Sequence, residues 1–168
     1  MDKPVVAVIM GSKSDLPIVE GAFQIFRDFN VAYTAQIMSA HRTPEDAAEF
    51  AANAEKNGLK VMICAAGMAA HLGGVIAAHT ILPVIGIPVA SEPFHGMDAL
   101  LATVQMPPGI PVATVTAGKA GGKNAALLAL EILAVSDPVL AEKLHAFRKE
   151  QTETIRKQNA AFQEELNS

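Results

Sequence analysis

Ser39-Ala40-His41-Arg42-Thr43-Pro44 puts a hydroxyl, an imidazole and a guanidinium side by side where an apolar run, Val31–Ile37, gives way to a helical pattern. Thr43 is a capping residue type and Pro44 is tolerated in a first helical turn. Backbone N–H groups at a helix start point outward, so such a place attracts a phosphate or carboxylate. His41 is the one side chain there of a type that titrates near neutrality. A neutral imidazole beside an anion can both accept and deliver a proton. The chemistry on offer is anion binding coupled to proton transfer. A second loop of the same kind, Gly11-Ser12-Lys13-Ser14-Asp15, also joins a strand-like run to a helical one. Ser12 and Ser14 supply hydroxyls, and Asp15 can accept hydrogen bonds from a diol. Taken alone, that loop reads equally well as a cap serving only its own helix.

The remaining motifs exclude more than they add. Neither Gly11–Asp15 nor Gly118-Lys119-Ala120-Gly121-Gly122-Lys123-Asn124 has the spacing and Gly-Lys-Ser/Thr ending of a Walker loop. The second suits flexible cover for a ligand or close packing of chains. No Gly-x-Gly-x-x-Gly follows the first strand, which argues against a dinucleotide fold. The five histidines, His41, His71, His79, His95 and His145, show no His-x-x-x-His pattern, and Cys64 has no partner cysteine, so no metal site is expected. His71 lies among small residues at a strand end and is a second site candidate. His79 and His95 read as ordinary hydrogen-bonded histidines, and His145 as solvated. No Ser-His-Asp order or nucleophile elbow points to covalent catalysis.

The elements that must hold these loops follow from hydrophobic periodicity. Val5–Met10 reads as a buried strand. Val19, Ala22, Phe23, Phe26 and Phe29 mark an amphipathic helix over 16–29. Val31–Ile37 is the next strand, and a helix from Pro44 to about Lys56 is expected to end at Gly58 as a C′ glycine. Val61–Ala65, Val84–Val89 and Pro111–Val115 supply three more strands, with helices before Pro83, around Asp98–Thr103 and up to about Ala134. Strands alternating with helices predict a parallel sheet covered on both faces, with ligands at the carboxyl ends of its strands. Pro138–Leu166 breaks the pattern. As a helix it runs about 40 Å, longer than the domain needs. Its interrupted stripe of Leu140, Leu144, Phe147, Ile155, Phe162 and Leu166 fits either a frayed, solvated helix or an arm on a neighbouring subunit. The expected division is a domain over 1–135 and an arm over 136–168.

Composition narrows the partners. The chain has 168 residues, a net charge of −4, no tryptophan and one tyrosine. Without a basic block or stacking platforms, nucleic acid is an unsuitable partner. Apolar runs stop well short of a membrane span, and no signal peptide is read. Cys64, inside an apolar run, is expected to be a small buried residue of a reduced compartment, not a nucleophile. Small metabolites and copies of the same chain remain.

At this point the motifs identify a likeness. Gly11–Asp15, Ser39–Pro44, Ala69-Ala70-His71-Leu72, Gln105–Val112 and Gly118–Gly121 resemble, in order and in register, the class I N5-carboxyaminoimidazole ribonucleotide mutases of de novo purine biosynthesis, in the aminoimidazole ribonucleotide (AIR) carboxylase family. The resemblance implies a flavodoxin-like three-layer sandwich with a central parallel sheet and a long C-terminal helix, assembled as a cytoplasmic homo-octamer. It implies a reaction without cofactor or metal, in which a carboxylate moves from the exocyclic nitrogen to ring carbon C4. His41 would then be the acid/base and His71 would help position the carboxylate or CO2. Ser12, Asp15 and Arg42 would bind substrate, with Ser39 helping at the phosphate and Asp15 at the ribose. Gly11, Ala40, Gly67 and Leu72 match further substrate-binding positions. Ala65, Ala66, Ala69, Ala70 and Gly73 are expected in the same small-residue wall. An unstable substrate also suggests functional coupling to the ATP-dependent synthetase that makes it. The chain departs from the family's usual pattern at Gly73, at the loop Ser91–Gly96 and at Lys123. Lys123 resembles the class II enzymes, which carboxylate aminoimidazole ribonucleotide directly with CO2.

Overall fold

A computed structural model describes residues 3–167. Five parallel strands form one sheet: β1 (Val6–Met10), β2 (Tyr33–Ile37), β3 (Val61–Gly67), β4 (Val84–Val89) and β5 (Ala113–Thr114), in the order β2-β1-β3-β4-β5. Registers are continuous, with Val6 opposite both Tyr33 and Val61, and Met62 opposite Val84. Central strands β1 and β3 are apolar because both their faces are covered. Edge strand β2 is half-buried to exposed. Residues that alternate along the strands choose a face. Ala7, Ile9, Met62, Cys64 and Val84 pack against Ala47 and Ala51 of α2 (Pro44–Ala52) and against Leu72 and Ile76 of α3 (Leu72–Ala78). Gly86 lies on that same face, where an added Cβ would overlap Thr103 of α4 (Met97–Val104). The other face is covered by α1 (Leu16–Asp28) and α5 (Lys119–Ala134), which approach closely at Gly21 and Lys123.

The chain leaves β1 in one direction along the sheet, towards β2, and returns past it to β3. That reversal opens a crevice at the carboxyl ends of β1 and β3, the position where doubly wound sheets hold ligands.

Three local expectations change. Helix α2 stops at Ala52 instead of running to Lys56. Asn53 is its C-cap, with its side-chain Nδ2 turned back onto the Glu49 carbonyl. Past it the bonding tightens, with Ala54 N on Ala51 O and Gly58 N on Glu55 O. A string of turns follows, and Gly58, at φ +90°, closes it without being the helix cap. Strand β5 is only Ala113–Thr114, since Pro107, Pro108 and Pro111 before it carry no N–H for a ladder. Gly121 and Gly122 are not flexible cover: they lie inside α5, where Cβ atoms would overlap the backbone oxygens of Thr116 and Ile18.

Compact units divide the chain at Ala129/Leu130, within α5. The first holds the sheet and the crevice. In the second, α6 (Pro138–Leu166) spans the predicted range and is capped by Asp137, whose Oδ1 accepts from Leu140 N at 3.0 Å. Arg148 of α6 pairs with Glu131 at 2.7 Å. Leu140 and Leu144 are buried, while Ile155, Phe162 and Leu166 are more than half exposed. No helix among the described residues is long and apolar enough to cross a membrane.

Candidate active site

A cavity of about 660 Å³ occupies the crevice, walled by the loops that follow β1, β2, β3 and β4. The loop after β1 is a short 3-10 turn, Lys13–Asp15, closed by a reciprocal cap. Ser12 N donates to Asp15 Oδ2 at 3.1 Å, and Ser12 Oγ accepts from Ser14 N at 3.3 Å and from Ser14 Oγ at 2.9 Å. Asp15 is largely buried. Burial pushes its carboxyl above the ordinary value, opposed by the hydrogen bonds from Ser14 and Ser12 and by the Arg42 charge.

The loop after β2 is organised by Ser39. Its Oγ accepts from the backbone N–H of His41 at 3.3 Å and of Arg42 at 3.2 Å, and from Arg42 Nε at 3.4 Å. Thr43 precedes α2, yet its side chain makes no cap bond to that helix. Instead its Oγ1 accepts from Ser39 N at 3.0 Å and donates to Ser39 O at 3.3 Å, because the turn holds it back against Ser39. The two outward N–H groups at this helix start, expected to face an anion, are therefore held by a serine hydroxyl. Arg42 crosses to the neighbouring loop, donating from Nη2 to Gly11 O at 2.7 Å. A single guanidinium thus ties the β1 and β2 loops together.

His41 reaches across β1 to His71, which stands at the start of α3. His41 Nε2 and His71 Nδ1 are 2.7 Å apart, with the rings edge to face at 70°. At that distance the two nitrogens are within hydrogen-bond reach, with the direction set by the tautomer. Neither ring is buried. The loop that presents His71 is held in an unusual backbone, with Met68 at φ +56° and Ala70 at φ +44°. Left-handed non-glycine residues are costly and tend to collect at functional sites. Gly67 lets β3 close on β4, since a Cβ there would stand 3.1 Å from Val89 O.

All ten residues expected in the site line this one cavity: His41 and His71, Gly11, Ser12 and Asp15, Ser39, Ala40 and Arg42, Gly67 and Leu72. Ala66, Ala69 and Ala70 join them, but two expected wall residues do not. Ala65 is fully buried within β3, and Gly73 is buried beside Val112 and Cys64. Cys64 is buried on the α2/α3 face, its thiol pushed up to about 12 by burial, which removes it as a nucleophile. His79 and His145 are exposed, and His95 pairs with Glu92 at 3.0 Å in the loop after β4. Met68, Val89, Ala90 and Ser91 also line the cavity and were not expected there. Met68, Val89 and Ala90 are of types that carry no chemical signal, and only their place, immediately after β3 and at the end of β4, marks them. Ser91, by contrast, brings a hydroxyl at a strand end.

Sheet order and switch-point crevice define the class, a flavodoxin-like α/β protein, and the crevice brings an imidazole pair and an arginine together. Comparison with known proteins is more specific. The AIR carboxylase family model matches residues 5–154, and the chain belongs to that family. It is 54% identical over 147 residues to an N5-carboxyaminoimidazole ribonucleotide mutase of Pyrococcus abyssi, covering 88% of this chain and 83% of the relative. To the Escherichia coli K12 mutase of the same name it is 51% identical over 150 residues, 89% of each chain. Among solved structures, Treponema denticola PurE superposes with a TM-score of 0.83 at 30% identity, covering 92% of this chain and 95% of that one.

Proposed function

We propose that this chain converts N5-carboxyaminoimidazole ribonucleotide into 4-carboxy-5-aminoimidazole ribonucleotide. The observation that carries the reading is the 2.7 Å His41–His71 contact, set beside Arg42 in a pocket built from the residues this reaction needs. Relatives about half identical to the chain and named as mutases support it.

The residues divide the work along the ligand. Arg42 and Ser39 take the phosphate, replacing part of the internal network with charge-assisted bonds. Asp15 accepts from the ribose hydroxyls. His41 delivers a proton to the exocyclic nitrogen as its bond to the carboxylate carbon breaks, releasing CO2 inside the pocket. Ring carbon C4 then bonds to that CO2, and His41 takes back the C4 proton. Proton and carbon both balance, and one residue serves both steps. His71, with Nδ1 engaged by His41, holds the imidazole in position and offers its other nitrogen to the carboxylate.

Such a path requires that CO2 cannot escape and water cannot enter. Met68 and Ala69 are exposed on the pocket's rim, and a second copy of the chain is the natural cover. The exposed Ile155, Phe162 and Leu166 of α6 suit the same association. A catalytic domain over 1–135, an arm over 136–168, a cytoplasmic homo-octamer and coupling to the substrate-making synthetase complete the proposal.

The test is to supply freshly made N5-carboxyaminoimidazole ribonucleotide in CO2-depleted buffer and follow the C4-carboxylated product. Product without added bicarbonate is expected. Product formed only from aminoimidazole ribonucleotide plus CO2 would replace the mutase by a direct carboxylase. Ribonucleotide binding without turnover of either substrate would leave a binding protein.

A further inference from the structure

Ser91 follows β4 and lines the pocket. Its Oγ is buried and has no hydrogen-bond partner among the described residues. The other serine hydroxyls of the wall are engaged inside the protein. Ser12 Oγ is held by Ser14, Ser14 Oγ by Ser12 and Asp15, and Ser39 Oγ by two backbone amides. Buried polar groups are nearly always paired, so an orphan calls for an explanation. In a pocket wall, a ligand atom can supply the missing partner.

Position says which end of the ligand that is. Arg42 and Ser39 follow β2, Ser91 follows β4, and the order β2-β1-β3-β4 separates those strands by three spacings, about 14 Å. The His41–His71 contact joins the β2 loop to the start of α3, between these limits. A ligand anchored by its phosphate at Arg42, with its reacting atoms at the imidazoles, directs its far end towards Ser91. The hydroxyl stands beside the bare backbone of Gly67 on the neighbouring strand, 3.7 Å from where a Cβ would be. Glu92 next door does not line the pocket and is paired with His95.

We infer that Ser91 Oγ donates a hydrogen bond to the migrating carboxylate, a second anchor at the opposite end of the pocket from Arg42. This rests on the mutase reading, in which that end of the ligand bears the carboxylate. The bond holds the group as it leaves nitrogen and keeps it within reach of C4. Ser91 is thereby a substrate-contacting residue that separates carboxylated from uncarboxylated ribonucleotide.

Calorimetric titration of wild type and Ser91→Ala with two ligands tests it, one bearing the C4 carboxylate and the other aminoimidazole ribonucleotide, which lacks it. Loss of one hydrogen bond to a charged group predicts roughly tenfold or more weaker binding of the carboxylated ligand, and a change within about twofold for the other. Because the hydroxyl has no partner in the protein, Ser91→Ala should melt no lower than wild type. A lower melting temperature would make the hydroxyl structural and overturn the inference. Equal losses for both ligands, or no loss for either, would also overturn it while leaving the mutase reading intact. Failure of wild type to bind either ribonucleotide would overturn the mutase reading, and the Ser91 assignment with it.

Discussion

The junctions after β1 and after β5 are built from similar small residues, Gly11-Ser12-Lys13-Ser14-Asp15 in one and Gly118-Lys119-Ala120-Gly121-Gly122 in the other. Each leads from the carboxyl end of a strand into a helix. In the first, smallness leaves space: the hydroxyls and carboxylate bond to one another around the edge of a cavity. In the second, smallness removes space, because the missing Cβ atoms of Gly121 and Gly122 let α5 touch the carbonyls of Thr116 and Ile18. A glycine-rich junction is a site only where polar side chains accompany the glycines and neighbouring loops leave a gap. Substitutions in the first region should therefore cost chemistry and leave stability, and those in the second the reverse.

The largest effect is expected at the site. His41→Asn keeps a polar side chain of similar reach but cannot carry a proton, so turnover should fall by roughly 10²–10⁴-fold or more. Ribonucleotide binding and the melting temperature should barely move, because His41 is exposed and its one side-chain partner among the described residues is His71. Steady-state kinetics beside a thermal melt decides this, and retained turnover would remove His41 from the acid/base role. Arg42→Ala comes next. It removes a charge-assisted contact to the phosphate and the tie to Gly11 O, a loss of about 1.5–3 kcal/mol in binding. Unchanged affinity by calorimetry would move the phosphate elsewhere.

Gly122→Ala probes the other junction. Alanine is the better helix former by about 1 kcal/mol. Against that gain, its Cβ would overlap the Ile18 carbonyl, and overpacking of this kind costs about 1–3 kcal/mol or more. Because a backbone carbonyl cannot swing aside as a side chain can, the overlap should win. Chemical denaturation should show a lower midpoint, with the loss of stability exceeding any loss of turnover per folded molecule. A stabilised variant would mean that α5 can lift off α1 freely, and the contrast between the junctions would fail.

The same contrast explains what the sequence made legible. Helix and strand identities followed from periodicity, since both faces of the sheet must be apolar where helices cover them. The polar site residues were legible because serine, aspartate, histidine and arginine at strand ends have few structural reasons to be there. What stayed hidden was decided by local competition or by missing atoms. Asn53 turned its side chain back onto the Glu49 carbonyl at the end of α2, and Thr43 bonded to Ser39 instead of to its helix. Gly121 and Gly122 gave no sign whether their missing Cβ atoms opened a loop or closed a helix contact. Val89 and Ala90 line the pocket by position alone, and nothing in an aliphatic side chain announces that.

Asp15 offers the smallest and most discriminating change, because it belongs to both descriptions: it caps the turn after β1 and it faces the cavity. Its folded carboxyl is raised above the ordinary value by burial, in excess of what Ser14, Ser12 and Arg42 restore. A raised folded value means that the native state binds the proton more tightly than the unfolded chain. Stability from this group is therefore full below the unfolded value of 3.8 and is lost as pH rises through the higher folded value. Asp15→Asn removes the buried charge and keeps an acceptor for Ser12 N. Relative to wild type it should be as stable or more so at neutral pH, with the advantage shrinking as pH falls through the carboxylate range. Ribonucleotide affinity should drop nonetheless, since a neutral amide accepts more weakly from a ribose diol than a carboxylate does. Melting curves across pH, beside titrations at neutral pH, separate the two roles. A variant that loses stability at neutral pH would make Asp15 chiefly a cap, and one that keeps its full affinity would take it out of the binding site.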